Sequence, residues 1–208
     1  MVASLAKRYL RFVNYLAHCF LSGEDDDILA GNYMGDFIKG NDWKKLPGRL
    51  GNGVVLHRLI DSFTDEHPET NELMEIVRPC CGRYAGIAID MIYDHLLASR
   101  WDEFHGIELL NFTTNTYQRL EKYIEIMPPV CQRMFSYMST GDWMYEYRRL
   151  EGLHQSLSGL ERRIGRETGL PDVVQVVENE RYRFDKGFER FFPEIQRACS
   201  QKLASFGS

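Results

Sequence analysis

The sequence predicts an all-α fold, and three observations carry that expectation. Apolar residues recur at helical spacing almost throughout. No sustained apolar–polar alternation is bounded by hairpin turns, and capping or breaking residues stand about one helix length apart. A chain of 208 residues, 44% hydrophobic and 26% charged, is long enough to bury one sizeable core, so a single-domain helical bundle over 1–208 is expected.

The elements follow from their punctuation. A first helix is expected over 4–21, closed by Gly23. "EDDD" at 24–27 is an acidic start for a second over 26–39. Within it Gly31, Gly35 and Gly40 weaken a helix, which predicts close packing against a neighbour or a break near Asp36. A third helix runs over 47–66 and stops before Pro68. The next spans 70–99 with a break. Helices over 105–126 and 129–138 are separated by "MPP" at 127–129. "STGD" at 139–142 opens 142–164, and "GLPD" at 169–172 opens 171–204, where Pro193 should kink or restart the helix. The aromatic-rich "RYRFDKGFERFFPEI" near the end reads as core packing.

Composition excludes several classes. A net charge of −5 supplies no basic surface for tracking phosphates, so nucleic acid is not an expected partner. Five cysteines, odd in number and without CxxC spacing, read as reduced thiols in a cytoplasmic protein. The opening apolar stretch is interrupted by Arg11, Asn14 and His18, which makes it too polar for a signal segment or a membrane span.

Function is read from polar residues set inside apolar helices. In "VVLHRLIDSFTDEHPE", His57, Asp61 and Asp65 form one stripe, at about 0°, 40° and 80° on a helical wheel, opposite the apolar arc. That is the pattern of a solvated face, or of one wall of a metal site. Eight residues rise about 12 Å, so an i,i+4 pair can share one ion but all three cannot. In "AIDMIYDHLLAS", Asp90 and Asp94 stand on a helix that is apolar nearly all round, where buried carboxylates need a cation: arginine or lysine from another helix, or a metal. "NYLAHCF" places His18 among apolar residues, where core histidines are common. "GNYMGDFIKG" places Asp36 beside Gly35, where a loop or cap carboxylate also fits. Each has a bland explanation singly. Burying all of them without a shared counter-charge would cost many kcal/mol in a domain of net stability ~5–15 kcal/mol. A common metal centre accounts for them together. Imidazole and carboxylate without thiolate favours manganese, iron or magnesium over structural zinc.

"NYLAH", "GNYMGDFIKG", "LHRLIDSFTDEHPE" and "DMIYDHLLASRW", in that order, resemble the acyl carrier protein phosphodiesterase family. The motif-bearing part is about 12–104, with supporting helices over about 105–208. The resemblance implies an all-α fold distantly like the metal-dependent HD phosphohydrolases, although this chain has Asp94-His95 and not the order His-Asp. It also implies a manganese-assisted hydrolysis that removes 4′-phosphopantetheine from holo acyl carrier protein.

From the reading of the helices, His18, Asp36, His57, Asp61 and Asp94 are expected as metal ligands or their immediate support, with Mn²⁺ first and Mg²⁺ or Fe²⁺ as alternatives. Asp65 and Asp90 are the next candidates for the chemistry, and Arg58 and Lys39 could hold the phosphate. His67 is not expected to be an essential ligand. Acyl carrier proteins are acidic, so "KKLPGR" (44–49), "YRR" (147–149) and "ERRIGRE" (161–167) are candidate docking patches, unless they are ordinary solvated faces. Two rival functions stay open: a metal phosphohydrolase of a nucleotide or another phosphodiester, and a non-enzymatic helical interaction module whose carboxylates pair with arginines.

Overall fold

A computed structural model describes residues 14–207, and among these there are helices, turns and no strand. Helix α1 spans Tyr15–Phe20 and α2 Asp26–Tyr33. A 3₁₀ turn at Gly35–Phe37 leads toward α3, Leu50–Glu66. Helix α4 (Pro68–Cys81) and α5 (Ala85–Ser99) follow, then α6 (Leu109–Glu121), α7 (Pro129–Thr140), the single turn α8 (Trp143–Glu146), α9 (Leu150–Ile164), α10 (Val173–Asn179) and α11 (Arg181–Ser205). The expected first helix is helical only from Tyr15 within the described residues, and most of its span, with Phe12 and Val13, lies outside them.

Local chemistry sets these boundaries. The Asp25 side chain accepts from the Ile28 amide at 3.0 Å, and Asp26 and Asp27 occupy the first turn of α2. Helix α2 stops at Tyr33 and not at 39, with Gly35 opening the 3₁₀ turn. The expected break in 70–99 falls at Gly82, whose φ of 55° suits a residue without Cβ. His67 caps α4, its ring nitrogen accepting from the Glu69 amide at 3.2 Å, with Pro68 as the first helical residue. The expected helix over 142–164 is two helices, because the turn after α8 brings the Glu146 carbonyl against Gly152 where a Cβ would not fit. The span 171–204 divides at Glu180. Pro193 does not restart it: α11 continues through an exposed Pro193, held on both sides by buried Phe188, Phe191, Phe192 and Ile195.

One connected core runs from Tyr15 to Cys199. Helix α5 is its axis, buried nearly all round, with α1, α4 and α9 packed on it. The tail aromatics are core, as expected: Phe191 stacks on Tyr93 at 4.5 Å between ring centroids, and Phe188 on Phe192 at 4.8 Å. Two glycines matter most for the site. Gly31 on α2 and Gly53 on α3 meet where a Cβ on either would strike the other helix's backbone, so the two helices cross in direct contact. That crossing places Asn32, the residue after Gly31, and His57, one turn after Gly53, close to the same point.

Candidate metal centre

His18 comes from α1, Asp36 from the 3₁₀ turn, and His57 and Asp61 from successive turns of α3. Their side chains converge. The imidazole rings of His18 and His57 lie 4.3 Å apart, tilted by 30°. Asp61 faces both, with Oδ1 3.3 Å from His18 Nε2 and Oδ2 3.3 Å from His57 Nε2. Asp36 Oδ1 lies 3.4 Å from His57 Nε2. One ligand atom from each of His18, His57 and Asp61 fits within 4.8 Å, the spacing of groups that surround one ion. A glycine at 35 is required, because a Cβ there would enter the His57 ring.

Asn32, fully buried on α2, fixes the first imidazole. Its Oδ1 lies 2.7 Å from His18 Nδ1, and its amide nitrogen donates to the His18 carbonyl at 2.9 Å and to Ser22 Oγ at 2.8 Å. With Nδ1 giving its proton to an amide oxygen, Nε2 carries the lone pair aimed at the cluster. Among the described residues His18 Nε2 and both ring nitrogens of His57 are buried without a hydrogen-bond partner; the two Nε2 atoms approach the carboxylates at 3.3–3.4 Å as ion pairs and not as aligned hydrogen bonds. Buried orphaned imidazole nitrogens facing carboxylates are the donor set that a divalent cation would satisfy. The residues fit such an ion.

The electrostatics agree. Burial opposes a charged His57, yet Asp36 and Asp61 override it and raise its pKa to about 10. Burial likewise opposes an ionised Asp61, but the two imidazoles hold its carboxyl well below the usual range. Asp90 is pushed well above its ordinary value, first by burial and then by the charges of Asp61, Asp65, Asp94 and Asp36. The side chain is half-buried, so it keeps some contact with solvent while lying among four carboxylates.

Asp94 takes a different place. Its two oxygens accept from the Leu16 and Ala17 amides at 2.9 and 2.8 Å, so α5 caps the helix that carries His18. Burial pushes its carboxyl up to about 8 against the pull of those amides. It therefore supports a ligand-bearing helix and does not reach the cluster. Asp65 is exposed, one turn beyond Asp61. Arg58 is half-buried and donates from Nη2 to the Ile38 carbonyl at 3.1 Å, while Lys39 is exposed. His67 lies 3.4 Å from Glu194 and serves its cap. Of the basic runs, Lys45 pairs with Asp42, Arg49 with Asp25, Arg148 lies over Tyr145, and Arg166 bonds the Tyr84 hydroxyl. Arg149, Arg162 and Arg163 are exposed.

Asn32 and Tyr15 belong to the site but are not among the residues the sequence singles out: Tyr15 falls within the apolar surroundings of His18. Asn32 had one signal: a side-chain amide one helical turn before Asp36, inside a glycine-rich apolar segment.

Fold and cluster together define an all-α bundle with imidazoles and carboxylates gathered at one point. Comparison with known proteins gives the particular family. The chain belongs to the acyl carrier protein phosphodiesterase family, whose model matches residues 13–195. It is 30% identical to the acyl carrier protein phosphodiesterase of Klebsiella pneumoniae subsp. pneumoniae over 91% of this chain and 99% of that one. The proteins of that name from Enterobacter sp. and Photorhabdus laumondii subsp. laumondii are each 28% identical over 91% of this chain, and over 99% and 96% of their own lengths. No solved structure matches, so the likeness to HD phosphohydrolases gains no support from that side. Among the described residues no helix is long and apolar enough to cross a membrane.

Proposed function

We propose that the protein is a divalent-metal phosphodiesterase that releases 4′-phosphopantetheine from holo acyl carrier protein in the cytoplasm. One observation carries the reading: in a chain of this family, His18, His57 and Asp61 offer converging ligand atoms, and the buried Nε2 of each imidazole has no hydrogen-bond partner among the described residues. His18, His57 and Asp61 hold the ion, Mn²⁺ by preference for this oxygen and nitrogen set, with Asp36 beside it. Bound there, the ion lowers the pKa of water and neutralises charge on the phosphoryl oxygens.

The chain's own groups do the rest. Asp36 takes a proton from the attacking water. The water oxygen bonds to phosphorus as the bond from phosphorus to the serine oxygen breaks. Asp90, kept protonated by burial and then by its carboxylate neighbours, gives the serine oxygen its proton. Asp65 contributes to that field from the rim. Arg58, with guanidinium hydrogens beyond the one given to Ile38, and Lys39 hold the phosphoryl group from the solvent side.

Incubation with Mn²⁺ and holo acyl carrier protein should convert the carrier to its apo form, read as loss of the prosthetic group by mass spectrometry. Asp61→Asn should lose both Mn²⁺ uptake and activity. A Mn²⁺-loaded protein that spares the carrier and cleaves a nucleotide would overturn the substrate. A protein indifferent to Mn²⁺ in melting and activity would overturn the metal.

A further inference from the structure

Tyr15 is the first residue of α1, one turn before His18, and it is 6% exposed. Its hydroxyl oxygen is fully buried and has no hydrogen-bond partner among the described residues. A hydroxyl left so costs about 1–3 kcal/mol, and a phenylalanine in its place would not incur that cost. Tyr15 lines a small cavity of about 10 Å³ together with Asn14, His18, Asn32, Tyr33, Asp36 and His57. That is about the room one water needs, and a water held there requires two or more polar partners. Tyr15 brings a donor and Asp36 an acceptor to the lining of the same cavity, and the Asp36 charge is close enough to act on the phenol. Burial, and after it the Asp36 charge, raises the phenol's pKa well above its ordinary value, so it stays a neutral donor across the working range.

We propose that Tyr15 positions the attacking water: its hydroxyl donates to a water oxygen seated in this cavity, while Asp36 accepts that water's proton. The assignment rests on the phosphodiesterase reading above and adds a residue to it. Once the proton has gone to Asp36, the hydroxide has lone pairs enough to accept from Tyr15 and still bond phosphorus. The Tyr15 proton itself is not transferred, so the phenol holds the nucleophile's direction and does not share in the proton's path.

Crystals of the full chain, metal-free and Mn²⁺-loaded, should show an ordered water within hydrogen-bond distance of Tyr15 Oη and an Asp36 oxygen, and Tyr15→Phe should lose it. Removal of one positioned donor should lower kcat about 10²-fold. KM for holo carrier and Mn²⁺ affinity should hold, and the metal-free melting temperature should be no lower than the parent's. Asp36→Asn should keep the water in place yet lose kcat, which tests the same arrangement if Tyr15→Phe folds poorly. An empty cavity, or a Tyr15→Phe protein with parental kcat and intact Mn²⁺ affinity, overturns the role of Tyr15 alone. A raised KM and weaker inorganic phosphate binding at parental kcat would move the hydroxyl onto the phosphoryl group and also overturn it. A parent protein without Mn²⁺ uptake or carrier hydrolysis instead refutes the underlying phosphodiesterase reading, and the metal-free crystals still report the water.

Discussion

Asn32 grips His18 at both ends: Oδ1 lies 2.7 Å from the ring's Nδ1, and Nδ2 donates at 2.9 Å to the same residue's carbonyl oxygen. One amide thereby sets the ring's tautomer and ties α2 to the helix that carries it. Asn32→Leu keeps the branching of the side chain and deletes both bonds to His18. It should weaken Mn²⁺ binding about 10–100-fold, the usual effect of losing a ligand's outer partner, and destabilise the fold by about 2 kcal/mol through the buried His18 Nδ1 left without a partner. Calorimetric titration with Mn²⁺ and urea unfolding read the two effects separately; unchanged metal affinity would remove Asn32 from the site.

The cluster also predicts how metal-free stability depends on pH. The folded pKa of His57 is raised from 6.5 to about 10, so its contribution is complete below about 6.5 and fades as pH rises toward 10. Asp61 is shifted the other way, and its contribution is complete above its ordinary value of 3.8 and fades as pH falls below that. In chelator, the melting temperature should therefore be highest between those limits and decline from pH 7 to 10. Mn²⁺ competes with the His57 proton, so its affinity should rise over the same alkaline span, with proton release seen as a buffer-dependent heat. A melting temperature flat from pH 7 to 10 would show that His57 is not held charged.

The parts of this site that were legible in the sequence are those written in residue type and spacing. The i,i+4 pair His57 and Asp61 was visible as a possible ion site, and so was the rise that keeps Asp65 out of it. What one helix's periodicity cannot show is what covers it. The stripe opposite the apolar arc looked like a solvated face, yet α1 and the 3₁₀ turn bury His57 there. Asp94 was recognisable as a carboxylate in need of a partner, but that partner is two backbone amides, which have no residue identity. Tyr15 was indistinguishable from filling because an unmet hydroxyl is a fact of three dimensions.

Asp94 makes its own prediction. Asp94→Ala leaves the Leu16 and Ala17 amides buried and unpaired, which should cost about 3 kcal/mol. Asp94→Asn retains one acceptor and should cost about half as much. Since α1 carries His18, Mn²⁺ affinity should fall in the same order. A ligand role would instead abolish metal binding in both variants at little cost to metal-free stability, so the two roles separate in one chelator-treated melt.

Gly53, at the crossing of α2 and α3, and Gly35, in the 3₁₀ turn, test how glycines build the site. A Cβ at Gly53 would strike the Ile28 carbonyl, and one at Gly35 would enter the His57 ring. Gly53→Ala must push two helix backbones apart, so it should cost about 2–3 kcal/mol and weaken Mn²⁺ binding as a consequence. Gly35→Ala has an easier escape, rotation of a single imidazole away from Asp61. It should cost less stability than Gly53→Ala but more metal affinity. The ranking is the content of the prediction, because two merely structural glycines would lose stability and Mn²⁺ binding in parallel, whereas a glycine that exists to seat a ligand loses the metal first.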